Sequence, residues 1–103
     1  MRIAFSHRAK NDVREIWNYS VEQWGSGQAA IYIGLIEAAV DEVMADPKIG
    51  RLCNEVRRGY RKHLVGSHML FYRVAAKTVF MVRILHQRMD IRRHLQAGEK
   101  RAK

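Results

Sequence analysis

Five histidines, one cysteine and a dense set of cations are the residues of this 103-residue chain that could do chemistry. His7, His63, His68, His86 and His94 are scattered; only His63 and His68 are close, flanking a tight turn where their rings could approach each other. No cysteine or carboxylate stands near them at ligand spacing, which points away from a metal site. The sequence contains no H-E-x-x-H, no C-x-x-C and no glycine-rich phosphate loop. Cys53 lies close to Arg51, and a neighbouring cation can lower a thiol pKa. Nothing around it marks a nucleophile, so a free loop cysteine is the better reading. Paired-carboxylate hydrolysis has little to use, because the second half holds only Glu55, Asp90 and Glu99. The expectation is a chain with no catalytic residue, no metal and no cofactor.

The cations say more. Residues 1–50 carry five Lys/Arg against seven Asp/Glu, whereas residues 51–103 carry fourteen against three. A field this uneven attracts nucleic acid or an acidic protein surface. One group is Arg57, Arg58, Arg61 and Lys62; a second is Arg83, Arg88, Arg92 and Arg93. Arg83 stands among apolar residues, where it either snorkels or pairs with a carboxylate such as Glu37 or Asp41. Direct nucleic-acid binding would call on Tyr60, Phe71 and Tyr72 as stacking residues, although Phe71 and Tyr72 are better read as sheet packing.

These side chains must be positioned by elements, and the apolar spacing predicts which. Arg2 to Phe5 alternates as a first strand. Ser6 can cap a helix that follows, with Ala9, Val13, Ile16, Trp17, Ser20, Val21 and Trp24 on its inner stripe. Gly25-Ser26-Gly27 breaks the pattern, and Ser26 can cap a second helix from Gln28 to Ala45, ended by Pro47 and Gly50. Two helices joined by about three residues make an antiparallel hairpin. Val56 to Val65, His68 to Val74 and Thr78 to His86 then read as a three-strand meander with turns at Gly66-Ser67 and Ala75-Ala76-Lys77. In the last strand Phe80, Val82, Ile84 and His86 would share one side and Val79, Met81, Arg83 and Leu85 the other. Arg83 and His86 would then not act together. Arg88, at or beyond the strand end, is free to reach a partner.

The result is an α+β chain of order β-α-α-β-β-β, a helical hairpin packed on a small, mainly antiparallel sheet. Residues 1–95 are expected to form a single domain, with a final helical turn over Met89–Leu95 and a polar tail over 96–103. A single cysteine cannot close an internal disulfide, which suits a reducing cytoplasm. The start, Met1-Arg2-Ile3, is charged too early for a signal peptide, and no apolar run approaches the roughly 18 residues of a membrane span.

The segment from Val82 through Arg83, His86, Gln87 and Arg88 to Asp90, followed by Ile91 to Leu95, resembles the C-terminal signature of ParE toxins in the RelE/ParE superfamily. Gly66 to Val74 resembles the family's central strand. Ala9, the Asp12–Trp17 run, Trp24-Gly25, Asp46-Pro47 and Gly50-Arg51 match its helical hairpin in character and order. The resemblance implies a toxin of a type II toxin–antitoxin pair that inhibits DNA gyrase and so blocks replication. It implies a ParD-like antitoxin partner, operator DNA engaged only through that antitoxin, and no membrane. On this reading Trp17, Val21, Trp24 and Tyr32 are candidates for antitoxin contact; Trp17 is also a natural filler of the helix–sheet interface. Arg88, Arg92 and Arg93, with Arg57, Arg58, Arg61 and Lys62, are candidates for target contact. The alternative within the same fold is a RelE-like ribosome-dependent endoribonuclease. It would draw on Lys62, Arg88 and His86 or His94 as acid or base. Met69 stands where that group places a central-strand arginine, and no tyrosine follows Arg88.

Overall fold

Ser6 joins the two halves of the chain. Its hydroxyl accepts from the Ala9 amide at 2.9 Å, capping the helix as expected, and donates to the Val82 carbonyl at 2.6 Å. The computed structural model describes residues 1–89. Strand β1 (Arg2–Phe5) leads into α1 (His7–Ala45), followed by β2 (Arg51–Leu52), β3 (Arg61–Val65), β4 (His68–Ala75) and β5 (Thr78–His86). The sheet order is β1-β5-β4-β3-β2. β1 runs parallel to β5, and every other pairing is antiparallel.

Helix α1 is broken where the sequence places a break, but by one residue rather than three. Gly25 has φ +86° and ψ 166°, a backbone state that suits glycine, while its neighbours remain helical. An unbroken helix of this length would run about 58 Å, well beyond the molecule's 38 Å longest extent. The two limbs, 7–24 and 26–45, therefore fold back, and Val13 of the first lines a groove with Ile36 of the second. Ala9, Ile16, Ile36, Ala39 and Val43 pack against Leu70, Tyr72, Val79, Met81 and Ile84 on one sheet face. Each large apolar side chain so buried contributes roughly 1.5–3 kcal/mol.

Trp17 is not part of that core. It is 37 % exposed, and the buried stripe of the first limb is Ala9, Asp12, Ile16 and Ser20. Trp24 is likewise outside, and the stripe is narrower than the spacing suggests. Small residues at 9 and 20 give the limb a thin inner face, so the indoles stay on its flanks.

The segment expected to be one strand from Val56 to Val65 is a strand only from Arg61. Residues 53–60 form a loop, and the two-residue β2 before it was not anticipated. The loop covers the second sheet face, where Cys53, Tyr60, Phe71 and Leu85 form a smaller core with Val56, Met69 and Val82 beside it. The turns at Gly66-Ser67 and Ala76-Lys77 are two-residue hairpins. Gly66 has φ +56°, and a Cβ there would meet the Tyr32 ring at 2.8 Å. In β5 the register shifts: Phe71 faces Arg83 while Tyr72 faces Met81, leaving Val82 as the extra residue of a bulge. Strict alternation fails there, so Met81 and Ile84, three apart, both join the main core.

Candidate functional site

Beyond Val82, β5 runs past the end of β1, which pairs only as far as Met81. The first limb of α1 takes over at that edge. Asp12, 6 % exposed, accepts from Arg83 Nε at 2.8 Å and Nη2 at 2.9 Å, and its Oδ2 also accepts from the Ile84 amide at 2.9 Å. One carboxylate thus neutralises a half-buried cation and satisfies an edge amide that has no strand neighbour. The expected partners Glu37 and Asp41 are not used; they line the groove between the limbs. Asp12, first by its carboxylate hydrogen bond, raises the Arg83 pKa.

Around this clamp lie two adjoining clefts. The first, about 470 Å³, is lined by Asp12, Glu15, Ile16, Arg83, Ile84 and Met89 among others; the second, about 390 Å³, by Ser20, Trp24, Tyr32, Ser67 and Gln87. Tyr19, His68, His86 and Arg88 line both. Arg83 and His86 therefore share a cleft, against the expectation from strand alternation and although the register between them is regular, because Arg83 reaches around the strand edge to Asp12.

His63 and His68 do not approach across their turn. His63 faces Leu70 in register and lies 3.7 Å from Glu42. His68 instead faces His86, with ring centroids 5.3 Å apart at 79°. The Tyr32 hydroxyl lies 2.6 Å from His68 Nδ1 and accepts from the Ser67 amide at 3.0 Å. Burial, and then His86, pushes His68 below the usual histidine pKa, with Asp12 opposing. The ring is therefore neutral near pH 7. Since the Tyr32 oxygen already accepts from Ser67, its proton is available for Nδ1, which leaves the ring proton on Nε2. For His86 the Arg88 amide donates to Nδ1 at 3.1 Å, which places the ring N–H on Nε2. The cluster is rich in donors. Among the described residues, no group of three or more His, Cys, Asp or Glu could hold a metal ion.

The remaining predicted residues are dispersed. Arg61 donates to the Gly50 carbonyl at 2.6 Å and pins the 48–50 loop. Arg57 sits 5.4 Å from the Tyr60 ring centroid, Arg58 is exposed and Lys62 half-buried. Tyr60, Phe71 and Tyr72 are buried and offer no stacking surface; Tyr72 donates to the Pro47 carbonyl and accepts from the Gly50 amide. Cys53 is fully buried, and burial pushes its thiol pKa up rather than down. Val21 is half-buried, Trp24 60 % exposed and Tyr32 tied to His68 and Ser67. Arg88 is exposed; Arg92, Arg93, His94, most of the expected Met89–Leu95 turn and the 96–103 tail lie outside the described residues. Sequence reasoning missed Asp12, although its place on the buried 9-12-16-20 stripe was a usable signal.

A helical hairpin on a five-strand sheet, clamped at the β5 edge, defines a small α+β protein of the RelE/ParE fold. A chromosomal ParDE TA system from P. aeruginosa superposes with a TM-score of 0.74, at 21% identity, over 84% of this chain and 95% of that one. The toxin–antitoxin complex RelBE2 from Mycobacterium tuberculosis follows at 0.57 and 21% identity, over 84% and 96%. At such identity these likenesses establish fold alone. The chain belongs to the ParE family: residues 3–91 match "ParE toxin of type II toxin-antitoxin system, parDE". It is 46% identical over 95 residues to Toxin ParE1 of Mycobacterium tuberculosis, covering 91% of this chain and 97% of the relative. To Toxin ParE1 of Caulobacter vibrioides it is 42% identical over 90 residues, covering 87% and 93%.

Proposed function

We propose that this ParE-family toxin inhibits DNA gyrase by binding it, without chemistry of its own, and that a ParD-like antitoxin neutralises it in the cytoplasm. The observation that carries the non-enzymatic reading is the separation of the residues a RelE-like mechanism would need. Lys62 lies on the sheet face that carries Phe71 and Cys53. His86 lies on the helix face, paired with His68 beside Tyr32. Lys62 and His86, on opposite faces, do not converge on one scissile phosphate, and the other candidate, His94, lies outside the described residues. Met69 in the central strand supplies no cation to bridge them.

Antitoxin binding is supported by the family description and by the large apolar side chains left exposed on α1. Trp17, Tyr19, Trp24, Ile31 and Leu35 all stand outside the core. Among the described residues no helix is long and apolar enough to cross a membrane. Purified gyrase supercoiling and cell-free translation, measured side by side with added toxin, test the reading. Supercoiling is expected to fall while translation continues; mRNA cleavage on ribosomes with gyrase unaffected would favour the RelE-like alternative instead.

A further inference from the structure

The second cleft, between the Gly25 break and the end of β5, has a lining suited to a small aromatic anion. It is about 390 Å³ in volume, within the range of small-molecule sites, and no Asp or Glu lines it. Arg88 is exposed at its wall. His68 and His86 each have Nδ1 engaged, by Tyr32 and by the Arg88 amide, so each has an Nε2–H left to donate. A guanidinium with two N–H donors is the chemistry that holds a phosphate. The same cleft is also lined by Trp24, 60 % exposed and braced by Tyr19 at 5.9 Å and 84°. An edge-on brace fixes the indole yet leaves ring surface open, and an open indole stacks a base of any identity. Glu15, which would repel a phosphate, lines only the neighbouring cleft.

We propose that this cleft binds a nucleotide, with the base on Trp24 and the phosphate on Arg88, His68 and His86. The nucleotide could be free or stand at a DNA strand end. Binding by the isolated chain needs neither gyrase nor antitoxin, so its failure would leave the gyrase reading untouched.

The full chain is titrated with dAMP, with a 5′-phosphorylated single-stranded oligonucleotide and with inorganic phosphate. A Trp17→Phe background makes Trp24 the remaining indole, since the chain has two. Saturable quenching is expected with dAMP, with the oligonucleotide or with both, the active ligand identifying the source. Arg88→Ala should weaken that binding about tenfold or more, and inorganic phosphate should bind at least about tenfold more weakly than the nucleotide. Trp24→Ala, read by calorimetry, should weaken nucleotide binding about fivefold or more. No saturation by either nucleotide ligand at about 5 mM overturns the proposal. So does affinity left unchanged by either substitution, or phosphate binding as tightly as nucleotide.

Discussion

Asp12 carries three hydrogen bonds at once, two from Arg83 and one from the Ile84 amide. Removing either side chain strands the other charge in a site where their side-chain exposures are 7 % and 14 %. Arg83→Ala and Asp12→Ala should therefore each cost about 3 kcal/mol of unfolding free energy, and the double variant clearly less than their sum. A urea midpoint unmoved by Arg83→Ala would show that the clamp holds nothing. His68 makes a separate prediction through pH. Its folded pKa lies below the ordinary 6.5, so the unfolded chain binds the proton more readily. The contribution to stability is present above pH 6.5 and is lost as pH falls through the depressed value. His68→Gln should flatten the decline in urea midpoint between about pH 7.5 and 5.5, by no more than the ~1.4 kcal/mol per pH unit that one proton allows. An equal slope in both proteins would remove His68 from the titration. Residue type announced that Arg83 needed a partner, but not which one. Glu37 and Asp41 sit on the second limb, and only the path of the first limb along the β5 edge brings Asp12 into reach.

At the scale of elements, what the sequence made legible is what local chemistry dictates. Ser6 caps because a hydroxyl precedes a periodic run, α1 breaks at a glycine, and Gly66-Ser67 closes a two-residue turn. What stayed hidden depends on contacts distant in the chain. The bulge at Val82 answers to the register against Phe71 and Tyr72, and the 53–60 loop leaves strand geometry to cover the second sheet face. The cleft itself is half legible: Arg88, Trp24 and Tyr32 each stand out in the sequence, yet their meeting around His68 and His86 follows from the fold. The β4–β5 turn is an exception to local logic, because Ala76 and Lys77 both have positive φ, 51° and 58°, with no glycine between the strands. Asn-Gly suits such a turn far better. Ala76→Asn with Lys77→Gly should raise stability by about 0.5–1 kcal/mol, seen as a higher melting temperature. A lower melting temperature would mean that the native turn is not of this kind.

At the scale of the whole molecule, two groups of cations among the described residues face different ways. Arg51 and Lys62 are paired in register on the face away from the helices, beside the loop that carries Arg58. Arg88 lies at the end of β5 in the clefts against α1. A target large enough to be a gyrase subunit could approach either region, but one interface does not need both. Arg61 can be set apart, since its guanidinium is committed to the Gly50 carbonyl; Arg61→Ala should lower stability rather than act selectively on target binding. Arg88 has the stronger claim, because its backbone is anchored on His86 while its side chain is exposed. Losing one charge-assisted contact costs about 1.5–3 kcal/mol, roughly ten- to a hundredfold in affinity. Arg88→Ala is thus expected to reduce growth inhibition and the loss of supercoiling by about that factor, with the melting temperature unchanged. Arg58→Ala with Lys62→Ala is expected to leave both intact. The opposite pattern, full toxicity without Arg88 and attenuation without Arg58 and Lys62, would move the target-facing surface to the far side of the sheet. It would also leave the helix-side cleft, with Trp24 at its wall, without a part in gyrase binding.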